Sequence, residues 1–133
     1  MITVSQSVIK WLKEFEKSSI NTDIQPAKVN SYSLVKEPII NKKTFISGRV
    51  RATEHYTLMA RLESQIDVSR VENNAWGESL EQWVYEKNKK KELPELEGAN
   101  VQSVAVTTPF YLGKSEANES VYQLTISITY ERE

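Results

Sequence analysis

The side chains in this sequence that could perform catalysis or bind metals form no recognisable motif. His55 is the only histidine, whereas a general base needs an orienting partner and a metal site needs several suitably spaced ligands. There is no cysteine, which excludes disulfides, thiolate metal sites and cysteine nucleophiles. Glu78, Glu81 and Glu86 fall in a helical pattern and could pair as acid and base, but glutamates are the usual content of a solvated helix face. We therefore predict no catalytic, metal or cofactor site.

Composition also limits the classes of partner. The 17 basic and 18 acidic residues give a formal net charge of -1, which argues against duplex nucleic acid or an anionic membrane as the dominant partner. The four glycines are scattered and form no phosphate-binding loop. No window approaches the ~20 apolar residues of a membrane span, and the first residues lack the apolar stretch of a signal peptide. We expect a protein that is kept in the cytoplasm or released by lysis.

The strongest structural signal lies near the end of the chain. Large apolar side chains occupy every second position there: Tyr122, Leu124, Ile126, Ile128 and Tyr130. Since the positions between them are polar, this period of two predicts a strand with one buried and one exposed face. A preceding strand is predicted over about residues 101–112, and residues 113–119 predict a polar hairpin loop between the two strands.

An earlier segment shows the same alternation. Its apolar positions share even numbering: Val50, Ala52, Tyr56, Leu58, Ala60 and Leu62. Ser47-Gly48 just before it predicts a two-residue hairpin turn, because glycine tolerates the positive φ that such turns need. That turn would place Phe45 opposite Val50 and continue the apolar face onto the preceding strand. Glu54 breaks the pattern, and a bulge, a bend and contact with a partner subunit are all open explanations.

The N-terminal third predicts a helix and a short strand. Residues 4–17 carry apolar side chains at helical spacing, and Thr3 with Gln6 fits a capping box. Residues 29–36 resemble a strand that ends at Glu37-Pro38. Because proline cannot donate to a ladder, this strand should be short or lie at a sheet edge.

A second helix is predicted after Asp67, with Asn73 or Asn74 as the N-cap. Its apolar stripe consists of Trp76, Leu80, Trp83 and Val84. Gly77 inside this helix costs about 1 kcal/mol relative to alanine, so either the helix is kinked there or something packs close to it. The run Lys87–Lys91 complements the helix macrodipole, and we interpret it as a solvated helix end.

Together these elements predict one α+β domain over residues 1–133, with two main helices packed on one face of a four- or five-stranded, mostly antiparallel sheet. A chain of this length can form a stable hydrophobic core without a bound metal ion or a disulfide. The three tryptophans fall on apolar helical stripes, which favours core packing over ligand stacking. A half-exposed sheet without a reactive centre points to scaffolding or assembly.

Several strings of the sequence also resemble a known protein family. They are Asn30-Ser31-Tyr32-Ser33-Leu34-Val35-Lys36-Glu37-Pro38, residues 81–88, Leu93-Pro94-Glu95-Leu96, residues 104–112 and Tyr122-Gln123-Leu124-Thr125-Ile126. They are similar to the small minor capsid proteins of phages and prophages of Gram-positive bacteria. The resemblance covers about four fifths of the chain, from residue 30 onward. Because these are core and turn residues, they identify a fold family better than an activity.

The resemblance implies a tail terminator, a virion protein that forms a hexameric ring on the last ring of the tail tube and presents the surface that joins the head. In headless phage-tail-like bacteriocins the same part would act as a collar. The implied partners are copies of the chain itself, monomeric before assembly, the tail tube protein and a head-completion protein. The alternatives are a head-tail connector or stopper and, from another class, a small enzyme or ligand-binding domain, which a pocket lined by convergent polar groups would favour.

Charged residues on the strand face and in the last hairpin are the candidates for a subunit or tube interface. They are Arg49, Arg51, Glu54, Arg61, Lys114, Glu116 and Glu119. The competing interpretation is that they are ordinary surface charges.

Overall fold

The computed structural model describes residues 3–16, 20–22, 31–63, 67–115 and 119–132. Helix α1 spans Val4–Leu12 and helix α2 spans Asp67–Lys89. The strands are β1 (Ile20–Thr22), β2 (Ser31–Thr44), β3 (Val50–Glu63), β4 (Asn100–Ser115) and β5 (Glu119–Arg132). The predicted α+β fold is therefore confirmed, with five strands in one sheet.

The strands lie in the order β1-β2-β3-β5-β4. The short β1 runs parallel to β2, and every other pairing is antiparallel. The final strand β5 therefore lies between β3 and β4, and it pairs with β3 without interruption from Val50 to Glu63. The unbroken pairing with β3 fits the regular alternation of β5, whereas its pairing with β4 has four register shifts.

One face of the sheet and both helices form the core. The predicted apolar positions of β5 are all buried, and Ile126 and Ile128 are 2% and 0% exposed. The helices also contact each other through aromatic rings. The ring centroids of Trp11 and Trp83 lie 4.6 Å apart, and Phe15 lies 5.7 Å from Trp83. The tryptophans of both helices therefore pack in or against the core, as predicted.

The opposite face of the sheet carries mostly polar side chains, with Met59 and Val121 as apolar exceptions, and is called the open face below. It consists of the odd-numbered positions of β3 from 51 to 61 and of β5 from 121 to 131. Cross-strand hydroxyl pairs lie along it, with 3.0 Å between the Oγ1 atoms of Thr53 and Thr129 and 3.0 Å between those of Thr57 and Thr125. Such pairs stabilise a sheet locally while leaving the face wettable.

The β2–β3 hairpin differs from the prediction by one residue. Thr44, and not Phe45, lies opposite Val50. The Phe45 amide donates to the Arg49 carbonyl over 2.8 Å, which encloses a three-residue loop with Gly48 at φ +91. A loop of this length uses a left-handed glycine at its end. The shift moves Phe45 onto the open face, so the predicted continuation of the apolar face is wrong.

Strand β2 continues through Pro38, whereas the sequence predicted that it would end there. Its pairing with β3 has an irregularity between Lys36 and Ile40. Pro38 falls inside this irregularity, where a missing amide hydrogen breaks no ladder bond.

Both helices have ends that differ from the prediction. The capping box of Thr3 and Gln6 is present, but α1 ends at Leu12, and residues 13–15 form turns. The amides of Glu14 and Phe15 bond three residues back, which tightens the last turn. Helix α2 begins at Asp67, so Asn73 lies inside it and is not the N-cap. The preference of asparagine for the N-cap is weak, and the surrounding residues override it.

Helix α2 is the longest helix of the described ranges, and its polar composition is far from that of a bilayer-spanning segment. No helix in the described part of the chain is long and apolar enough to cross a membrane.

Candidate functional site

The hairpin of residues 40–51, called the basic arm below, is exposed along most of its length. Residues 40–44 are exposed on both faces of the hairpin, and Ile46 at the tip is fully exposed. Packed sheet residues are covered on at least one face, so this exposure means that the arm stands clear of the core. It is therefore accessible to another protein.

Phe45 and three cations organise the open-face side of the basic arm. The charged groups of Lys43, Arg49 and Arg51 lie 5.3, 5.0 and 5.4 Å from the centre of the Phe45 ring. Cations at this range are attracted by the face of an aromatic ring. The ring therefore gathers positive charge behind the apolar tip.

Glu131 of β5 fixes two of these cations. Its Oε2 accepts a hydrogen bond of 2.7 Å from Arg51 Nε, and its Oε1 lies 3.3 Å from Arg49 Nε. Both arginine side chains remain about half exposed. The carboxylate thus orients the guanidinium groups, while their outer sides stay accessible.

The structure separates the predicted interface residues into two groups. Arg49 and Arg51 meet at the base of the basic arm, whereas Arg61 lies ten residues further along β3, which is about 33 Å away at the usual rise per residue. Arg61 pairs with Val121 near the start of β5. The backbones of Lys114 and Glu119 belong to β4 and β5 at that second end. Their side chains, and the whole of Glu116, lie outside the described residues.

Glu54 lies in the interior, not on the exposed surface with the other candidates. The residue is 3% exposed. Tyr56 donates a hydrogen bond of 2.9 Å to its Oε1, Tyr130 donates to its Oε2, and Lys36 Nζ lies 3.2 Å from Oε1. The pairing of β3 with β5 is continuous at Glu54, so the pattern break marks no bulge in β3. The irregularity lies opposite it in β2.

The protonation of this buried group follows from its partners. Burial alone raises the pKa of Glu54, but hydrogen bonds from Tyr130, Tyr56 and Lys36 favour the charged form and together lower the pKa below its ordinary value. Burial, then the bond to Glu54, raises the pKa of Tyr130 to about 12. At neutral pH the site is thus a carboxylate held by two phenols. The shared even numbering of Glu54 and Tyr56 was the sequence signal that could have placed this carboxylate on the core face of β3, whereas its contact with Tyr130 depends on strand order.

A cavity of about 610 Å³ opens beside Glu54, where the sheet extends past the start of α1. Val50 and Ala52 form part of its apolar floor, and Lys36, Lys42 and Arg132 contribute positive charge. Polar groups therefore converge on an apolar floor, which is the feature that a ligand-binding domain requires.

A second depression, called the acidic cleft below, lies between α1 and residues 93–97 and has a volume of about 570 Å³. Its apolar lining comes from Trp11, Leu93, Pro94 and Leu96, and its charged lining from Glu14, Glu95, Glu97 and Lys10. Trp11 Nε1 donates a hydrogen bond of 2.8 Å to the Glu92 carbonyl, which attaches this segment to α1.

The residues considered for catalysis are dispersed. His55 lies on the open face opposite Ser127, and Glu78, Glu81 and Glu86 lie along α2. Glu86 accepts a hydrogen bond of 2.8 Å from Gln82 one turn earlier. Across the described ranges, no three histidine or acidic side chains come together in a way that could hold a metal ion.

In comparisons with known proteins, no family model matches the chain and no curated protein matches it significantly.

Proposed function

We propose that this chain is a structural virion protein, a tail terminator that forms a ring on the end of the tail tube of a phage, prophage or tail-like particle. The sequence resemblance of residues 30 onward to minor capsid proteins supports the proposal. The structural observation that carries it is the basic arm, which stands clear of the core with Ile46 exposed at its tip. A ring subunit needs a surface that can reach its neighbour or its template.

The second requirement of a ring is that each subunit carries two different complementary surfaces and that the rotation between subunits closes. The acidic cleft carries charge opposite to that of the basic arm. On the sheet itself, the basic arm and the Arg61 end are separate regions, about 33 Å apart at the usual strand rise. The open face connects them with half-exposed polar side chains. These surfaces suit contacts with copies of the chain, with the tail tube protein and with a head-completion protein.

Apart from Ile40 and Ile46, the side chains that the basic arm exposes are polar or charged, which fits an assembly that is controlled by its template. A terminator must not close a ring before the tube is complete. Polar and charged surfaces bind weakly in isolation, because exposed ion pairs contribute only about 0–1 kcal/mol each. We expect the isolated chain to be a monomer that becomes a hexamer on the tube.

Localisation in purified particles tests this proposal. Particles whose genome encodes the chain are prepared with an epitope tag on its C-terminus and labelled with gold-conjugated antibody for electron microscopy. The proposal predicts label at one end of the tail, on its head-proximal side. Label on the head side of the junction after head and tail are separated would indicate a connector or stopper. Label along the tube, or none on particles, would contradict both roles.

The cavity beside Glu54 favours ligand binding as a second candidate function. Lys42 and Arg132 flank its apolar floor, so an anion with an apolar body is the ligand that it would accept. Thermal denaturation with inorganic phosphate and with short-chain fatty acids tests this function, since a ligand that binds only the folded state raises the melting temperature. A saturable shift that Arg132→Gln abolishes would support it. No shift at millimolar concentration would contradict it.

A further inference from the structure

We propose that the basic arm of one copy of this chain docks into the acidic cleft of a second copy. The inference rests on the proposed function for its ring geometry, and it adds the surfaces and residues through which neighbouring subunits join. It follows from a match of shape and charge between two described regions of the same chain.

The basic arm provides an apolar tip surrounded by positive charge. Ile46 is fully exposed, and a β-branched apolar side chain at a hairpin tip gains free energy when a partner covers it. Behind the tip, Lys43, Arg49 and Arg51 surround the Phe45 ring. Lys42 adds a fourth cation to the arm, and the Glu131 carboxylate of β5 contacts Arg49 and Arg51.

The acidic cleft provides the complementary features. Its floor is apolar, with the indole of Trp11 beside Leu93 and Leu96. Three glutamates and Lys10 line it, and one of the glutamates, Glu14, is ion-paired with Lys87 of α2 over 3.1 Å, so Glu95 and Glu97 are the main source of negative charge. The turn at its rim is fixed by a bridge between Leu96 and Ala99 and by Gly98 at φ +72. The cleft thus presents carboxylates around an apolar pocket on a defined backbone.

The two regions lie in different parts of the chain, so their contact is heterologous. After one arm has docked, the pair still has one free cleft and one free arm, and further copies can add until the ring closes. Since the tip is a single apolar side chain and the surrounding contacts are charged, the contact should be weak in isolation and sensitive to salt. This agrees with a subunit that assembles only on its template.

Engineered disulfides test the contact directly, because the chain has no cysteine of its own. An Ile46→Cys variant and a Glu97→Cys variant with a different mass tag are mixed at high concentration and oxidised. Docking predicts a mixed disulfide in severalfold higher yield than Ile46→Cys gives with Tyr85→Cys, which lies exposed on α2. Raised salt should reduce the yield. Equal yields from both pairs would overturn the contact.

A charge swap provides the second test. Lys42→Glu with Lys43→Glu in the Ile46→Cys chain should abolish the excess of mixed disulfide, and Glu95→Lys in the Glu97→Cys chain should do the same. Combining both reversed chains should restore part of it, because the two introduced glutamates then face the introduced lysine, while Arg49 and Arg51 keep their charge. Failure of the restored pair, with both variants folded by circular dichroism, would contradict docking at these residues.

These results are separable from the proposed function. A terminator found at the tail end whose cysteine pairs give no excess would have another subunit interface. Excess cross-linking in a chain that is absent from tails would support the contact and contradict the terminator role.

Discussion

The ring of Phe110 in β4 lies directly over Gly77 in α2, so close that a Cβ atom at position 77 would be 2.1 Å from the ring. Phe110 also stacks on Tyr122 at 5.0 Å and meets the edge of Trp76 at 5.6 Å. Of the two sequence explanations for a glycine inside this helix, close packing is therefore confirmed. The missing side chain lets the helix approach the sheet.

Gly77→Ala should lower the free energy of unfolding by about 1–3 kcal/mol, because the added methyl group overpacks the contact with Phe110. At an unconstrained helix position the same change would stabilise by about 0.5–1 kcal/mol. Chemical denaturation measures the difference. In a Phe110→Ala background, which removes the obstructing ring, Gly77→Ala should become neutral or stabilising. An equal loss in both backgrounds would contradict the packing explanation.

Removing the carboxylate of Glu54 should alter the acid dependence of stability. Its folded-state pKa is lowered, so its contribution is fully present above the unfolded value of 4.5 and is lost as the pH falls through the folded value. Glu54→Gln should therefore lower the free energy of unfolding by roughly 1.5–3 kcal/mol at pH 7, because hydrogen bonds to a charged group are lost. The loss should become smaller as the pH falls below the pKa of the carboxyl group in the unfolded state. Melting curves across this range provide the measurement.

Two tyrosine variants serve as a matched comparison for that result. Tyr130→Phe removes a donor to the Glu54 carboxylate and should weaken the acid dependence. Tyr111→Phe removes a hydroxyl that donates to the Gln123 amide over 2.7 Å on the exposed sheet and should leave the dependence unchanged. If both variants changed the acid dependence of stability equally, Glu54 would not be the source of that dependence.

Ile126→Asp should unfold the protein. Ile126 is 2% exposed and lies on the core face of β5 between Val106 and Tyr56, so the substitution buries an unpaired charge. Ser127→Asp, one position along on the half-exposed open face, is the matched control and should remain folded. Circular dichroism of both variants checks this. A folded Ile126→Asp protein with an unchanged melting temperature would contradict the assigned core face.

Lys91→Gly should stabilise the protein. Lys91, in the turn after helix α2, has φ +58. The Glu92 amide donates to the Lys87 carbonyl, and the Lys91 amide donates to the Asn88 carbonyl. This pattern usually places glycine at the left-handed position, which costs other residues about 1–2 kcal/mol. We expect the free energy of unfolding to rise by about 0.5–1 kcal/mol. Lys90→Gly is the control, because Lys90 has an ordinary negative φ, and it should lower the free energy of unfolding by a similar amount. Denaturation midpoints that moved in the same direction for both would contradict this account.

The parts of the fold that sequence periodicity predicted are those where burial repeats regularly. The alternation of β5 specified its faces because one face is buried in the core and its pairing with β3 is unbroken. The hairpin register depended on one backbone angle at Gly48, and a three-residue loop in place of a two-residue turn moved Phe45 to the other face. The prediction that β2 ends at Pro38 was wrong, because the irregular pairing between Lys36 and Ile40 accommodates a residue without an amide hydrogen.

The candidate site was only partly predictable for a different reason. Arg49 and Arg51 were singled out as exposed charge, but their grouping depends on Glu131, which is 80 residues away from Arg51 in sequence. The buried site of Glu54 depends in the same way on Tyr130 from another strand. The spacing of residues in one sequence indicates only local structure, whereas these contacts depend on which strands are neighbours in the sheet.

The length of tails in particles that lack this chain is the most direct test of the terminator role. Deletion of its coding sequence should give tails of uncontrolled length that carry no head, and the wild-type chain supplied in trans should restore both. A chain with Arg49→Gln and Arg51→Gln should fold, because exposed ion pairs contribute about 0–1 kcal/mol each. Glutamine is chosen because it avoids the repulsion that reversed charges would meet at Glu131. We expect this chain to restore length control poorly. If electron microscopy of the deletion particles shows tails of normal length joined to normal heads, this chain is not a tail terminator.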